Sequence, residues 1–441
     1  MRAIEPSLLL TVLLLGSALG AAPARADVCG CAGSPATLGA FDSADPSTWP
    51  TVAGQPTTLS GSTITLPLPA DGVLVFDSFT LSNLEGGANA TLLFGRNASN
   101  TPARLLVAGD VVIGPGDTLD VRGASGESGT IAGGAGRGGL GGPGGHKGGD
   151  AATPFYNFQT IGGVGFGPGG GLPGNPALGG GIKDPGYPGE YVGPVDLLPL
   201  VGGSGGGGGS TTNTTTSGVS GGGGGGGGAL LIAANGSIRV DGAIDASGGQ
   251  GGTLVNGTLG GQGGSGSGGA IRLLADTVQG SGVLRARGGI APTFGTRVGG
   301  PGRIRVEAFT NQIATASTDP VMLVAAVPGT LESPLSPSVA IAEVGGAAVA
   351  DPAIGFSGSL GSVDVIVPAP GVVPVRVATR YVPSGTLVEL VAKPRFGLLA
   401  PLTTTATLSS CAPSGTCEGL ASLNLAPGDY SIEARATFAV P

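Results

Sequence analysis

Four aspartates, Asp120, Asp241, Asp245 and Asp276, lie near two arginines, Arg122 and Arg239, in short alternating stretches of the chain. Carboxyls cleave glycosidic bonds when two of them face each other about 5 to 9.5 Å apart across a groove. Each of these aspartates adjoins a turn or a glycine corner, where Asp is common because its carboxylate bonds nearby backbone N–H groups. No convergent pair emerges, so no catalytic residue is assigned. The basic residues are more concentrated. Arg272, Arg285, Arg287, Arg297, Arg303 and Arg305 fall between Ala270 and Val306, with Asp276 the only acid among them. In stacked strands Arg285/Arg287 and Arg303/Arg305 would form a short basic ladder. With Arg272, such a ladder could grip the sulfate, phosphate or carboxylate groups of a surface glycan. The plainer reading is a solvated face whose charges discourage edge pairing.

Other chemistries find less support. The only histidine, His146, stands among glycines, and a metal site would need two ligand pairs at the right spacing plus histidines. No Gly-Lys-Ser/Thr follows the glycine runs, and the calcium-binding nonapeptide is not matched, so no cofactor is expected. The net charge of −8 argues against nucleic acid as a partner. Sequons at Asn89, Asn97, Asn213, Asn235 and Asn256 arise readily by chance in such a composition. The cysteines are Cys29, Cys31, Cys411 and Cys417, an even number that favours disulfides in an exported chain. Cys411 with Cys417 is the preferred pair, because APSGT between them can turn tightly. Cys29-Gly30-Cys31 would close on itself only with strain, and the pairing of these two stays open.

The elements that must position these residues are repeats. GALLIAANGSIRVDGAIDASGG begins at Gly228 and GAIRLLADTVQGSGVLRARGG at Gly269; ARLLVAGDVVIGPGDTLDVRGASG stands upstream from Ala103, and PGRIRVEAFT downstream from Pro301. Each joins a short alternating apolar run, a polar corner, a second run and then glycines, the pattern of stacked β units that bury a face only against a neighbour. Ile238 and Val240 oppose Arg239, Leu284 and Ala286 oppose Arg285 and Arg287, and Ile304, Val306 and Ala308 oppose Arg303, Arg305 and Glu307. Within Val73 to Leu81 neither face is cleanly apolar.

Glycine (92) and proline (35) are abundant among the 441 residues, and the glycines cluster. Residues 123–228 therefore read as a glycine-rich insertion, with a polar tip at 211–216 and a corner at 174–176. Ordering glycine costs about 0.5–1 kcal/mol more than ordering alanine. The insertion is then either a loose loop or a set of extended three-residue-per-turn strands bonded side by side, which only residues lacking Cβ permit. Residues 1–26 read as a cleaved secretory signal, with Arg2, the run Leu8 to Leu15, and Ala24-Arg25-Ala26 before Asp27. No membrane span is expected once the signal is removed. Residues 27–60 form a cap or lead-in, 61–326 the repeat unit, 327–338 a Pro-rich linker and 339–441 short strands spaced as in an Ig-like β-sandwich.

The wording of the repeats (RLLVAGDVVI, IDASGG, GGAIRLLADTVQGSG, GRIRVEA) resembles uncharacterised, exported, glycine-rich bacterial surface proteins with a pectin-lyase-like outline. More weakly, the polyglycine tracts resemble the tips of phage tail-fibre adhesins. The resemblance implies an all-β chain: a right-handed parallel β-helix (β-solenoid) carrying the insertion, then the sandwich. It brings no catalytic residues. The expected function is structural or adhesive at the cell surface or outside the cell, with a surface glycan or another surface protein as partner. The alternative is a β-helix that binds or cleaves surface polysaccharide.

Overall fold

The computed structural model describes residues 27–31, 37–98, 100–130, 134–152, 161–174, 185–211, 219–253, 261–290, 297–331, 337–349, 364–394, 401–412, 415–428 and 430–438. The signal segment lies outside them, as do the 211–216 tip and the 174–176 corner apart from Thr211 and Gly174. The chain is all-β, and its regular helix among the described residues is confined to 3-10 turns at Pro46–Thr48 and Thr315–Ser317.

The lead-in contains β1 (Ala40–Asp42), β2 (Thr51–Val52), β3 (Gln55–Pro56) and β4 (Thr58–Ser60), and the repeat unit begins with β5 (Thr63–Pro67). Successive repeats then supply β6 (Val73–Phe76), β7 (Ser78–Leu81) and β8 (Thr91–Gly95), followed by β9 (Ala103–Val107), β10 (Val111–Ile113) and β11 (Thr118–Asp120). After the insertion come β12 (Ala229–Ala234), β13 (Ser237–Val240) and β14 (Ala243–Asp245), then β15 (Ala270–Gln279) and β16 (Val283–Arg285), then β17 (Arg303–Asn311) and β18 (Thr318–Asp319), and finally β19 (Leu323–Ala325). Equivalent strands pair in parallel. The first half of β15 bonds β12 and the second half bonds β13, so the two stacks, one through β6, β9 and β12 and the other through β1, β7, β10 and β13, merge into one ten-stranded sheet. The third strand of each repeat joins a separate seven-stranded sheet.

Parallel register puts like residues above one another. Leu74, Leu105, Ile232, Leu273 and Val306 form one inward column. Phe79, Val111, Ile238 and Val278 form a second, and Leu92, Leu119, Ile244 and Leu284 a third. All of them are buried in one shared core. The ambiguous stretch from Val73 to Leu81 resolves here. It is two strands with a corner at Asp77, so Leu74 and Phe76 point inward before the corner, and Phe79 and Leu81 after it.

The glycine tracts take the ordered of the two predicted forms wherever they are described. In the run Gly221–Gly228, Gly222 and Gly225 donate to Glu127 and Ala124, Gly223 and Gly226 to Gly149 and His146, and Gly224 and Gly227 to Gly264 and Ser267. A bond direction that recurs every third residue is the signature of an extended strand with three residues per turn. A methyl group on any of Gly221 to Gly227 would fall against a neighbouring backbone carbonyl. The insertion does not stand alone, however. Residues 246–253, 261–269, 286–290 and 297–302 join the same lattice, so several turns between repeats build one glycine layer.

The C-terminal region is antiparallel. β20 (Ser338–Val344), β21 (Ala347–Ala348) and β22 (Gly371–Arg380) precede β23 (Leu387–Pro394), β24 (Leu402–Thr407), β25 (Ser410–Cys411), β26 (Thr416–Leu425) and β27 (Tyr430–Ala436). They form a five-stranded and a three-stranded sheet around a common apolar cluster that includes Val375, Val377, Val388, Leu390 and Leu423.

Candidate functional site

The basic ladder expected from Arg285/Arg287 and Arg303/Arg305 does not form. β17 stacks on β15, so Arg305 neighbours Arg272 and Arg303 neighbours Ala270. β16 belongs to the other sheet, where Arg285 lies between Asp245 and Asp319. Alternation had put all these arginines outward without saying which strands would be adjacent.

Arg272 is covered rather than presented. Its side chain is 2% exposed and meets the Glu307 carboxylate, also 2% exposed, through Nε at 2.8 Å and Nη2 at 3.1 Å. Arg272 Nη2 also donates to the Thr330 carbonyl at 2.9 Å. Glu307 accepts further bonds from Arg305 Nε at 2.7 Å and from the Gly329 amide at 2.7 Å. Burial pulls the Glu307 carboxyl up, but the bonds from Arg272 and Arg305 outweigh it and hold the group below the usual carboxylate range. The same outer face of β12 and β15 is overlaid by Cys29, Leu197 and Leu200, with Leu331 packed alongside. Arg303 stands 5.8 Å from the Tyr191 ring centroid. Burial pushes the Tyr191 hydroxyl up to about 12.

The sequence-selected aspartates mostly bind backbone. Asp241 accepts from the amide of Ser281, one repeat further on, at 3.0 Å, and from Arg239 Nε at 2.5 Å. Asp110 serves Ser237 in the same way at 2.6 Å. The Ser281 amide, then Arg239, hold the Asp241 carboxyl low. Asp245 accepts from the Ser247 amide at 2.9 Å, and Asp120 is bound by Arg122 Nη2 at 2.6 Å. Asp276 is half-buried in β15, between the part that pairs β12 and the part that pairs β13. A carboxylate reaching the next repeat's amide fixes register, which explains aspartate at these corners without catalysis.

One face of the seven-stranded sheet combines bonded, buried carboxylates with accessible arginines. Asp120, Asp245, Arg285 and Asp319 stand in register on adjacent strands. Two residues further along these strands come Arg122, Ser247 and Arg287. Among the described residues Arg285 and Arg287 make no ion pair; Arg285 is half-buried and Arg287 exposed. Adjacent strands lie about 4.8 Å apart. The face therefore presents Arg285, Arg287 and Asp319 beside the buried Asp120, Asp245 and Ser247, and its guanidinium groups are suited to bonding an anionic chain.

Cys411 and Cys417 are disulfide-bonded as expected. Cys29 and Cys31, whose pairing the sequence left open, are bonded to each other. Gly30 between them takes a left-handed φ of +62°, which glycine reaches without a Cβ clash. His146 is partly buried beneath Gly167 in the glycine layer, and burial pushes its imidazole down to about 4. Among the described residues no group of His, Cys, Asp and Glu is arranged to hold a metal ion. No helix among them is long and apolar enough to cross a membrane. No known protein family, curated protein or solved structure matches the chain.

Proposed function

We propose that this is an exported structural or adhesive surface protein, built as a right-handed parallel β-helix with a polyglycine layer, followed by an Ig-like β-sandwich. The observation that carries the reading is how charge is used. Arg272, Arg305 and Glu307 hold one another, and Asp110 and Asp241 bind the amides of the next repeat. Side chains spent on register build a stiff scaffold. Unbroken parallel pairing from β6 through β9, β12, β15, β17 and β19 supports the β-helix, and right-handed crossovers are the rule for parallel strands. Two antiparallel sheets on one core support the sandwich.

A carbohydrate-binding or carbohydrate-cleaving β-helix is the second reading, favoured by the row of Asp245, Arg285, Ser247 and Arg287. Immobilised protein tested against a panel of neutral, uronic and sulfated polysaccharides separates the two, together with assays for released reducing ends. The adhesive form predicts binding to acidic glycans that Arg285→Ala with Arg287→Ala weakens, while the fold is retained. Release of reducing ends, lost in Asp245→Ala, would overturn the non-catalytic reading.

A further inference from the structure

The inward column that runs through Leu74, Leu105, Ile232, Leu273 and Val306 continues in register to Val324 on β19. Every earlier member is at most 1% exposed, but Val324 is 55% exposed. Among the described residues the core thus ends open at β19. Val321 (68%), Val327 (57%), Phe309 (58%) and Leu323 (39%) extend the bare surface around it.

The opposite end is closed. There β4 turns back antiparallel along β5, and Phe41 stacks on Phe79 with ring centroids 4.7 Å apart. Ile64 and Leu66 are completely buried. Stacked-repeat proteins need both terminal units covered by something other than water.

We infer that the β19 end is covered by the β19 end of a second copy of this chain, in a closed two-fold dimer. The chain's own C-terminal sheets are held elsewhere. Their connection is gripped at Gly329 and Thr330 by Glu307 and Arg272, and Arg435 donates to the Pro168 carbonyl in the glycine layer. Head-to-tail stacking would need a bare edge on β6, the first strand of the same stack, but residues 38–39 already lie along it, Leu38 donating to the Val75 carbonyl and Gly39 accepting from the Asp77 amide. The bare edge left on a second copy is the same one, and a two-fold axis sets β19 antiparallel to its mate so that each edge satisfies the other. From Val321 to Leu331 no residue is charged, so self-pairing brings no like charges together.

Sedimentation velocity on the purified full chain tests this. The expected result is a dimer at micromolar concentration that dissociates on dilution. Val321→Lys, on the exposed rim, should weaken dimerisation by about tenfold or more, as should Val324→Lys. Circular dichroism of each variant checks that the fold persists. Should Val324→Lys unfold, amide exchange of Leu323–Ala325 in the parent protein replaces it, with protection expected to rise with concentration. A monomer up to about 100 µM would overturn the inference. So would unlimited growth into filaments, or a dimer whose stability Val321→Lys leaves unchanged.

Discussion

Replacing Gly224 with alanine tests the glycine layer most directly. A Cβ there would point into the strand at 249–252, against the carbonyls of Gly249 and Gln250. That strand is tied to the run by bonds from Gly249 to Gly225 and from Gly252 to Gly222, both 2.7 Å. Backbone cannot rotate aside as a flexible side chain can, so the strand must retreat. Overpacking costs about 1–3 kcal/mol, and weakening two backbone bonds adds about 1 kcal/mol each. Alanine returns about 0.5–1 kcal/mol by restricting the unfolded chain. The net expectation is a loss of about 2–4 kcal/mol. Gly95→Ala is the control, because its new methyl would meet its nearest atoms at 3.4 Å and 3.5 Å, in ordinary contact. Denaturant titration followed by circular dichroism compares the variants, and amide exchange at 261–267 locates the damage. If Gly224→Ala unfolds at the same midpoint as Gly95→Ala with unchanged exchange, the close-packed lattice is wrong.

The buried ions and the histidine give two further expectations. Glu307→Gln leaves Arg272 buried without its counter-charge and should cost about 3–5 kcal/mol, read as a fall in denaturation midpoint at pH 7; an effect under about 0.5 kcal/mol would show that the pair is solvated. His146, partly buried as the neutral imidazole and pushed down to about 4, favours folding above its ordinary pKa of 6.5. That advantage is lost as pH falls from 6.5 towards 4, because the unfolded chain takes up the proton first. Between pH 7 and pH 5 the loss is about 2 kcal/mol. His146→Gln should flatten this slope whatever its effect at pH 7, and an equal slope in both proteins would refute the assignment.

Alternation along the repeats was enough to mark Ile238, Val240, Leu284, Ala286, Ile304 and Val306 as inward, because each short strand carries its own period. What alternation lacks is the position of corners and the identity of neighbours. Val73 to Leu81 looked confused because the chain bends at Asp77 and the period restarts. The arginines were misplaced for the second reason. Arg285 and Arg303 are close in sequence, yet residues 286–290 and 297–302 between them join the glycine layer, and Arg303 lies on a different sheet from Arg285. Glu307 was visible as an outward neighbour of Arg305, but its burial depends on residues 329–331 folding back over it. No local pattern encodes that return. The row of Asp245, Arg285, Ser247 and Arg287 likewise exists only through register.

The glycine layer and the β-stack share one geometry, which accounts for the glycines falling where they do. Where β11, β14 and β16 end, their chains leave the stack side by side at the spacing of parallel strands. Gly123 bonds Ser247 and Gly248 bonds Arg287, so the ladder continues past the last paired residues. Further out Gly126 bonds Gln250 and Gly129 bonds Thr253, now every third residue. The change from a period of two to a period of three needs no break in the bonding between chains. It frees the remaining amides of each strand to bond other neighbours, which fit only where Cβ is missing. The stack thus fixes the spacing of the first glycine strands, and those strands template the rest. Shortening one turn between repeats should therefore disturb the entire layer, whereas an insertion at a solvent-facing corner such as Gly86-Gly87, where a methyl would meet no atom within 4 Å, should leave it intact.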